Sequence, residues 1–340
     1  NRSTVDETAN KLDSLMGIVF QYIVALQSAL PELYKVMENI FESSIVKTHK
    51  TKFVQFAILH LCGNDVSLYR EFCSKTIDIL LDPSSATVTR QTSACYLASF
   101  VSRATYVCVE TATEALHALL RWAEAYMKVN TITIGTDVRD ECNIHSLFYT
   151  VCQGAFYIMC FRGAEIIQWT RSSQVFDLES DRWTTLCTHP LAPLRYCLES
   201  VRLEFLRVSE LLDLLDEDVL RRLHQNDTTP IKRRRRSVPI RTPSGLEKER
   251  VLGGVGGLGR GTNPLDSFFP FDPYLLRKSH SYIEPFYKHW DGGITLDDIQ
   301  DENVPDTISV VHNDEDNASD GDVSDTDEAD EERARQRLLS

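Results

Sequence analysis

Gly254, Gly256 and Gly259 stand at the G-x-G-x-x-G spacing that cradles a pyrophosphate when it follows a strand and opens a helix. The run continues Arg260-Gly261-Thr262-Asn263-Pro264, where no helix can open on the last glycine, so the match is read as glycine coincidence. Neither G-x-x-x-x-G-K nor G-x-S-x-G occurs. Cys142, His145 and Cys152 offer sulfur and nitrogen donors, the first two at zinc-ligand spacing. A closed tetrahedral site takes four ligands, usually as two close pairs, and no second pair is apparent; the three are read as core residues. His289 sits beside Trp290 with no paired carboxylates or nucleophile near it in sequence. No catalytic residue, metal or cofactor is nominated, and the chain is expected not to be an enzyme.

Charge offers other chemistry. Lys232, Arg233, Arg234, Arg235 and Arg236 form a compact cluster flanked by prolines. The reading is an importin-type nuclear localisation signal, against a phosphate-contacting arm or a solvated charge run. Ser237 has an arginine three residues before it, as basophilic kinases require, and Thr242-Pro243 suits proline-directed ones. Ser319 and Ser324 each have an acidic residue at the next position and three positions on. An acidophilic kinase selects such serines, and phosphate adds ~1.5 to 2 negative charges apiece. No acidic residue occurs from Pro83 to Val109, so Arg90 and Arg103 are candidates for weak contact with a DNA backbone. For Arg90 the competing reading is an internal partner for Asp82. "LHALL" at 116–120 and "LLDLL" at 211–215 fit L-x-x-L-L partner motifs but are read as core.

The densest signal is "NPLDSFFPFDPYLLRKSHSYIEPFYKHW", residues 263–290, which holds eight of the 31 aromatic residues and therefore must cover something. Asn263-Pro264 and Asp272-Pro273 each join an N-cap side chain to a proline suited to the first helical position, and Pro270 keeps the two apart. Two short capped turns are expected, presenting Leu265, Phe268, Phe269 and Phe271. They dock either on the chain's own body, as a lid, or on a partner.

The elements that would hold these residues are helical. Apolar residues recur at three- and four-residue steps over 7–28, and further helices are expected over about 31–46, 50–62, 65–81, 86–103, 110–129, 145–169 and 191–222. "NTITIG" at 130–135 is the best strand candidate, and one strand cannot make a sheet. Asp82-Pro83 makes a turn after which Val88, Arg90, Ala94 and Leu97 follow the spacing of a HEAT repeat's second helix. The fold class is all-α, a HEAT-like superhelix over 1–225. A basic and Gly-rich linker over 226–262 lacks aromatic residues and is expected to be flexible; the aromatic segment occupies 263–292, and an acidic tail expected to be disordered occupies 293–340.

The net charge of −14 belongs to that tail, because 297–332 holds sixteen acidic and no basic residues while 1–296 is nearly neutral. The nine cysteines show no C-x-x-C pair and read as reduced, buried thiols of a cytosolic or nuclear protein. Apolar runs fall short of a membrane span, and no membrane partner is expected. The first residue is Asn, so a fragment is expected.

"NPLDSFFPFDPYLL" resembles a signature of the RNA polymerase I-specific transcription initiation factor family (TIF-IA type). "RQTSACYLASFVSRA", "FYTVCQGAFYIMCFR" and "LAPLRYCLESVRLEF" are similar to successive blocks of that family in the same order, so the resemblance spans most of 7–290. It implies a HEAT-repeat protein without catalytic activity that binds RNA polymerase I. It further implies a bridge to promoter-bound selectivity or core factors at ribosomal RNA genes, control by phosphorylation, and a nuclear, nucleolar location. The family's serine-bearing polymerase-docking face lies largely in an amino-terminal half that this chain is expected to lack, so those serines are not carried over. The Gly-rich insertion and long basic linker depart from the family pattern. A general α-solenoid scaffold or importin-like adaptor without polymerase binding is the alternative.

Overall fold

A computed structural model of the chain describes residues 2–48, 51–130, 143–173, 180–226 and 269–295. The elements are α1 (Arg2–Ala25), α2 (Leu30–Ile40), α3 (Phe56–Cys62), α4 (Val66–Leu81), α5 (Thr87–Arg103), α6 (Val109–Val129), α7 (Ser146–Ser173), α8 (Ser180–Thr188), α9 (Pro193–Tyr196), α10 (Glu199–Leu211) and α11 (Glu217–Asn226). Among the described residues no strand forms; one isolated antiparallel bridge joins Ala104 to Tyr287. The fold is an all-α helical repeat of the HEAT-like kind. No single described helix is long and apolar enough to cross a membrane.

Two helices are buried on all sides over long stretches. α5 is covered from Ser93 to Arg103 and α7 from Leu147 to Gly163, and the two pack together at the centre of the body. Small residues set that contact: a Cβ on Gly154 would stand 3.1 Å from the Ala98 Cβ, a spacing that only a glycine relaxes. α6 and α10 cover other sides of α7, and α4 backs α5.

Local chemistry explains the boundaries. Asp65 caps α4 by accepting from the Ser67 N–H at 2.7 Å. Asp82 ends α4 and holds the turn, accepting from the Ser84 N–H at 2.9 Å and the Ser85 hydroxyl at 2.8 Å. The Arg90 Nε donates to the Leu80 carbonyl at 2.7 Å, so its bond goes to the end of the preceding helix and the Asp82 carboxylate to the turn serines. The expected helix over 191–222 is three: Cys197 (ψ 159°) and Leu198 (ψ 135°) run extended between α9 and α10, and Asp213 (φ 53°) follows α10 in the left-handed region that terminates helices. Helix α8 was not expected, because "SDRWTTLCT" is short and half polar. Of the L-x-x-L-L leucines, Leu116, Leu119, Leu120, Leu214 and Leu215 are buried and Leu211 is half-buried.

Candidate docking site on the aromatic strap

Residues 269–295 form a strap with almost no regular structure, only 3-10 turns at His280–Tyr282 and Glu284–Phe286. Its aromatic side chains face the body. Phe271 is fully buried, its ring 5.5 Å from Phe56, 5.8 Å from Tyr96 and 5.6 Å from Phe100. Phe269 stacks on Tyr157 at 4.0 Å, and Tyr274 meets Phe56 edge-on at 4.7 Å. Further along, Tyr282 packs on Phe20, Phe286 on His60 and Tyr106, and Trp290 on Phe161. The strap therefore touches α1, α3, α5 and α7. Gly63 admits it closely, since a Cβ there would lie 2.6 Å from the Phe286 ring.

A buried irregular segment must find partners for its peptide groups outside itself. The body supplies them at stations along the strap. The Gln55 side chain donates to the Pro270 carbonyl, and the Phe271 N–H donates to the Ser99 hydroxyl at 3.1 Å. Asp13 on α1 accepts from the N–H groups of Lys278 and Ser279, both at 2.8 Å, and from the Ser279 hydroxyl at 2.6 Å. His60 Nδ1 donates to the Tyr282 carbonyl at 3.0 Å, which fixes its tautomer because a carbonyl only accepts. Thr105 N–H donates to the Phe286 carbonyl at 3.1 Å, and Lys288 N–H donates to the Arg103 carbonyl at 2.6 Å.

The strongest station is Arg103. Its guanidinium pairs with the Asp272 carboxylate, both side chains 1% exposed. It also donates through Nη1 to the Lys288 carbonyl at 3.0 Å and through Nε to the Tyr157 hydroxyl at 3.1 Å, and lies over the Phe161 ring at 4.4 Å. Burial works against the Arg103 charge; Tyr157, Tyr287 and Asp272 outweigh it and leave the guanidinium charged.

Three sequence expectations are corrected here. Arg103 cannot meet a DNA phosphate, because its guanidinium is enclosed and its donors are directed to Asp272, Lys288 and Tyr157. Asp272 does not cap a helix at Pro273: none begins there, and its carboxylate turns inward to the arginine. Phe269, Phe271 and Asp272 are buried, and Pro273 is half-buried. Arg90 is half-buried, 5.7 Å from the Trp122 ring centroid. Pro264, Leu265, Phe268, the basic cluster 232–236, Ser237, Thr242, Ser319, Ser324, the glycine run, the strand candidate beyond Asn130, Cys142, the linker beyond Asn226 and the tail beyond Thr295 lie outside the described residues; the expected disordered tail does not begin at 293, because Ile294 is buried. His145 Nδ1 bonds the Tyr126 hydroxyl at 2.8 Å. None of the eight described cysteines is in a disulfide; seven are buried, where desolvation pushes the thiols of Cys62, Cys152 and Cys160 well up.

The residues sequence reasoning missed are the receivers: Asp13, Gln55, His60 and Ser99. Asp13 carried a readable signal, since it shares a helical side with Met16, Phe20 and Ile23, where a carboxylate is out of place unless bonded.

Acid should loosen the strap in two stages. Burial lowers the pKa of His60 below its ordinary 6.5, against a smaller opposite effect of the Tyr282 carbonyl. Its contribution is whole above 6.5 and is lost as pH falls from there through the folded value. For Asp13 burial acts to raise the pKa, but the Ser279 hydroxyl and the N–H groups of Lys278 and Ser279 together hold it below 3.8, so its contribution persists above 3.8 and is lost below. Hydrogen exchange of strap amides should show less protection at about pH 5 than at about pH 7. His60→Asn should remove that difference; an unchanged one would assign it elsewhere.

The family model described as RNA polymerase I specific transcription initiation factor RRN3 matches residues 1–294, strap included. A Mus musculus RNA polymerase I-specific transcription initiation factor RRN3 is 26% identical over 328 residues, covering 94% of this chain and 47% of its own. A Schizosaccharomyces pombe protein of the same description is 27% identical, covering 87% of this chain and 46% of its own. The chain thus spans about half the length of these curated relatives. A solved structure, described as the crystal structure of RNA polymerase I transcription initiation factor Rrn3, superposes with a TM-score of 0.64 at 18% identity, covering 85% of this chain and 58% of the other.

Proposed function

Because the chain belongs to the RNA polymerase I-specific transcription initiation factor RRN3 family, we propose that it is a non-catalytic adaptor that binds RNA polymerase I and bridges it to promoter-bound selectivity or core factors. The match that runs through both the helical body and the strap carries this reading. The relatives, described as RNA polymerase I-specific factors, support the polymerase as partner. The adaptor works in the nucleus and nucleolus, delivered by importin through 232–236. Ser237, Thr242, Ser319 and Ser324 tune its encounters by adding charge.

Mechanistically, a stack of helices offers long rigid faces, and bridging gains strength because the second contact becomes intramolecular once the first has formed. The strap is the lid that keeps α1, α3, α5 and α7 in one body, with Phe269, Phe271, Asp272 and Pro273 on its seated stretch. Of the two arginines proposed for weak DNA contact, Arg90 alone keeps solvent access.

The test is capture of purified RNA polymerases I, II and III on the immobilised chain. Retention of polymerase I well above the other two is expected. Equal capture of all three, or none, would replace the polymerase reading with that of a general helical scaffold.

A further inference from the structure

α6 and α8 enclose an open groove of about 670 Å³. His117, Arg121, Glu124 and Lys128 of α6 line it on one side, and Asp181, Arg182 and Thr185 of α8 line the other. One internal pair settles part of the charge: Arg182, 14% exposed, is bonded to Glu124. Arg121 and Lys128 are exposed and make no ion pair among the described residues. On a helix, 117, 121 and 128 share one side, with rises of about 6 and 10.5 Å between successive positions. Arg121 and Lys128 are the two cations this leaves, nearly two turns apart with the Glu124–Arg182 pair between them. Glu114 and Glu110 follow toward the start of the helix on the same side, and Asp181 stands opposite. Burial chiefly, with Arg182 and Arg121, lowers the pKa of His117, so the imidazole adds no fixed charge to the groove.

We propose that this groove binds a short Asp/Glu-rich segment of a partner protein along the α6 side. The arginine fork receives a carboxylate on two parallel N–H donors, and lysine adds a point charge nearly two turns on. Clustered basic side chains of this kind recognise acidic motifs. The carboxylates that close both the end and the opposite wall disfavour a continuous polyanion, which distinguishes the partner from a nucleic acid strand.

Fluorescence anisotropy on the full 340-residue chain tests this with three labelled probes: a short Glu/Asp peptide, its Gln/Asn counterpart and a thymidine oligonucleotide. The acidic peptide should bind, weaken with added salt, and lose about tenfold or more in affinity on Arg121→Glu/Lys128→Glu. Lys35→Glu/Lys47→Glu, equal in charge change and also exposed, should stay within about twofold, and both variants should melt as the parent does. The proposal is overturned by absence of peptide binding at about 1 mM, by equal loss in the two variants, or by an oligonucleotide that binds more tightly than the peptide and is lost with Arg121 and Lys128.

Discussion

Asp272→Ala is expected to destabilise the chain by about 3–5 kcal/mol, the cost of leaving a buried guanidinium without its counter-ion. For a body of this size each kcal/mol is worth roughly 2–4 °C in melting temperature, so a drop of about 6 °C or more should be visible by circular dichroism. The carboxylate adds little as a favourable interaction over two well-packed apolar groups; what its removal exposes is Arg103, still charged and enclosed by Tyr157, Phe161 and Tyr287. Arg103→Met/Asp272→Leu should accordingly lose less than Asp272→Ala alone. A single-variant loss under about 1 kcal/mol would mean that water reaches the pair and that the strap is not seated as described.

That ion pair also marks the limit of what sequence could disclose. The helices were legible because their information is local: the Asp82-Pro83 turn and then Val88, Arg90, Ala94 and Leu97 fall within one window, and α5 forms there. The aromatic density of the strap said that it must cover something. What it covers was not written nearby, because the contacts join positions 169 and 266 apart in sequence, as for Arg103 to Asp272 and Asp13 to Ser279. Arg103 alone looks like a surface cation after an apolar run. Asp272 before Pro273 looks like a helix cap, and local preference lost to a buried partner that local patterns cannot name.

The same geometry constrains how the strap can serve a bridge. Its peptide groups are held by α1, α3, α5 and the Thr105 segment, so it ties together helices that stack only with neighbours in a simple repeat. Whatever partner the body meets therefore meets faces held in register by residues that the partner does not touch. Loss of a strap residue can abolish binding without lying in an interface.

Phe271→Ala separates the two roles. Phe271 is fully buried among Phe56, Tyr96 and Phe100, so truncation should cost about 3–5 kcal/mol through lost transfer energy and the cavity left behind. Leu275→Ala, four residues on and 62% exposed, should stay within about 0.5 kcal/mol. If the strap is a lid, polymerase capture by Phe271→Ala should follow the folded fraction, returning toward the parent's level when measured well below the variant's melting temperature. Leu275→Ala should capture as the parent does at every temperature unless the outer side of the strap is itself a contact. Capture lost by Phe271→Ala at a temperature where its helical content is intact would place the phenylalanine against the partner and remove the lid from the account.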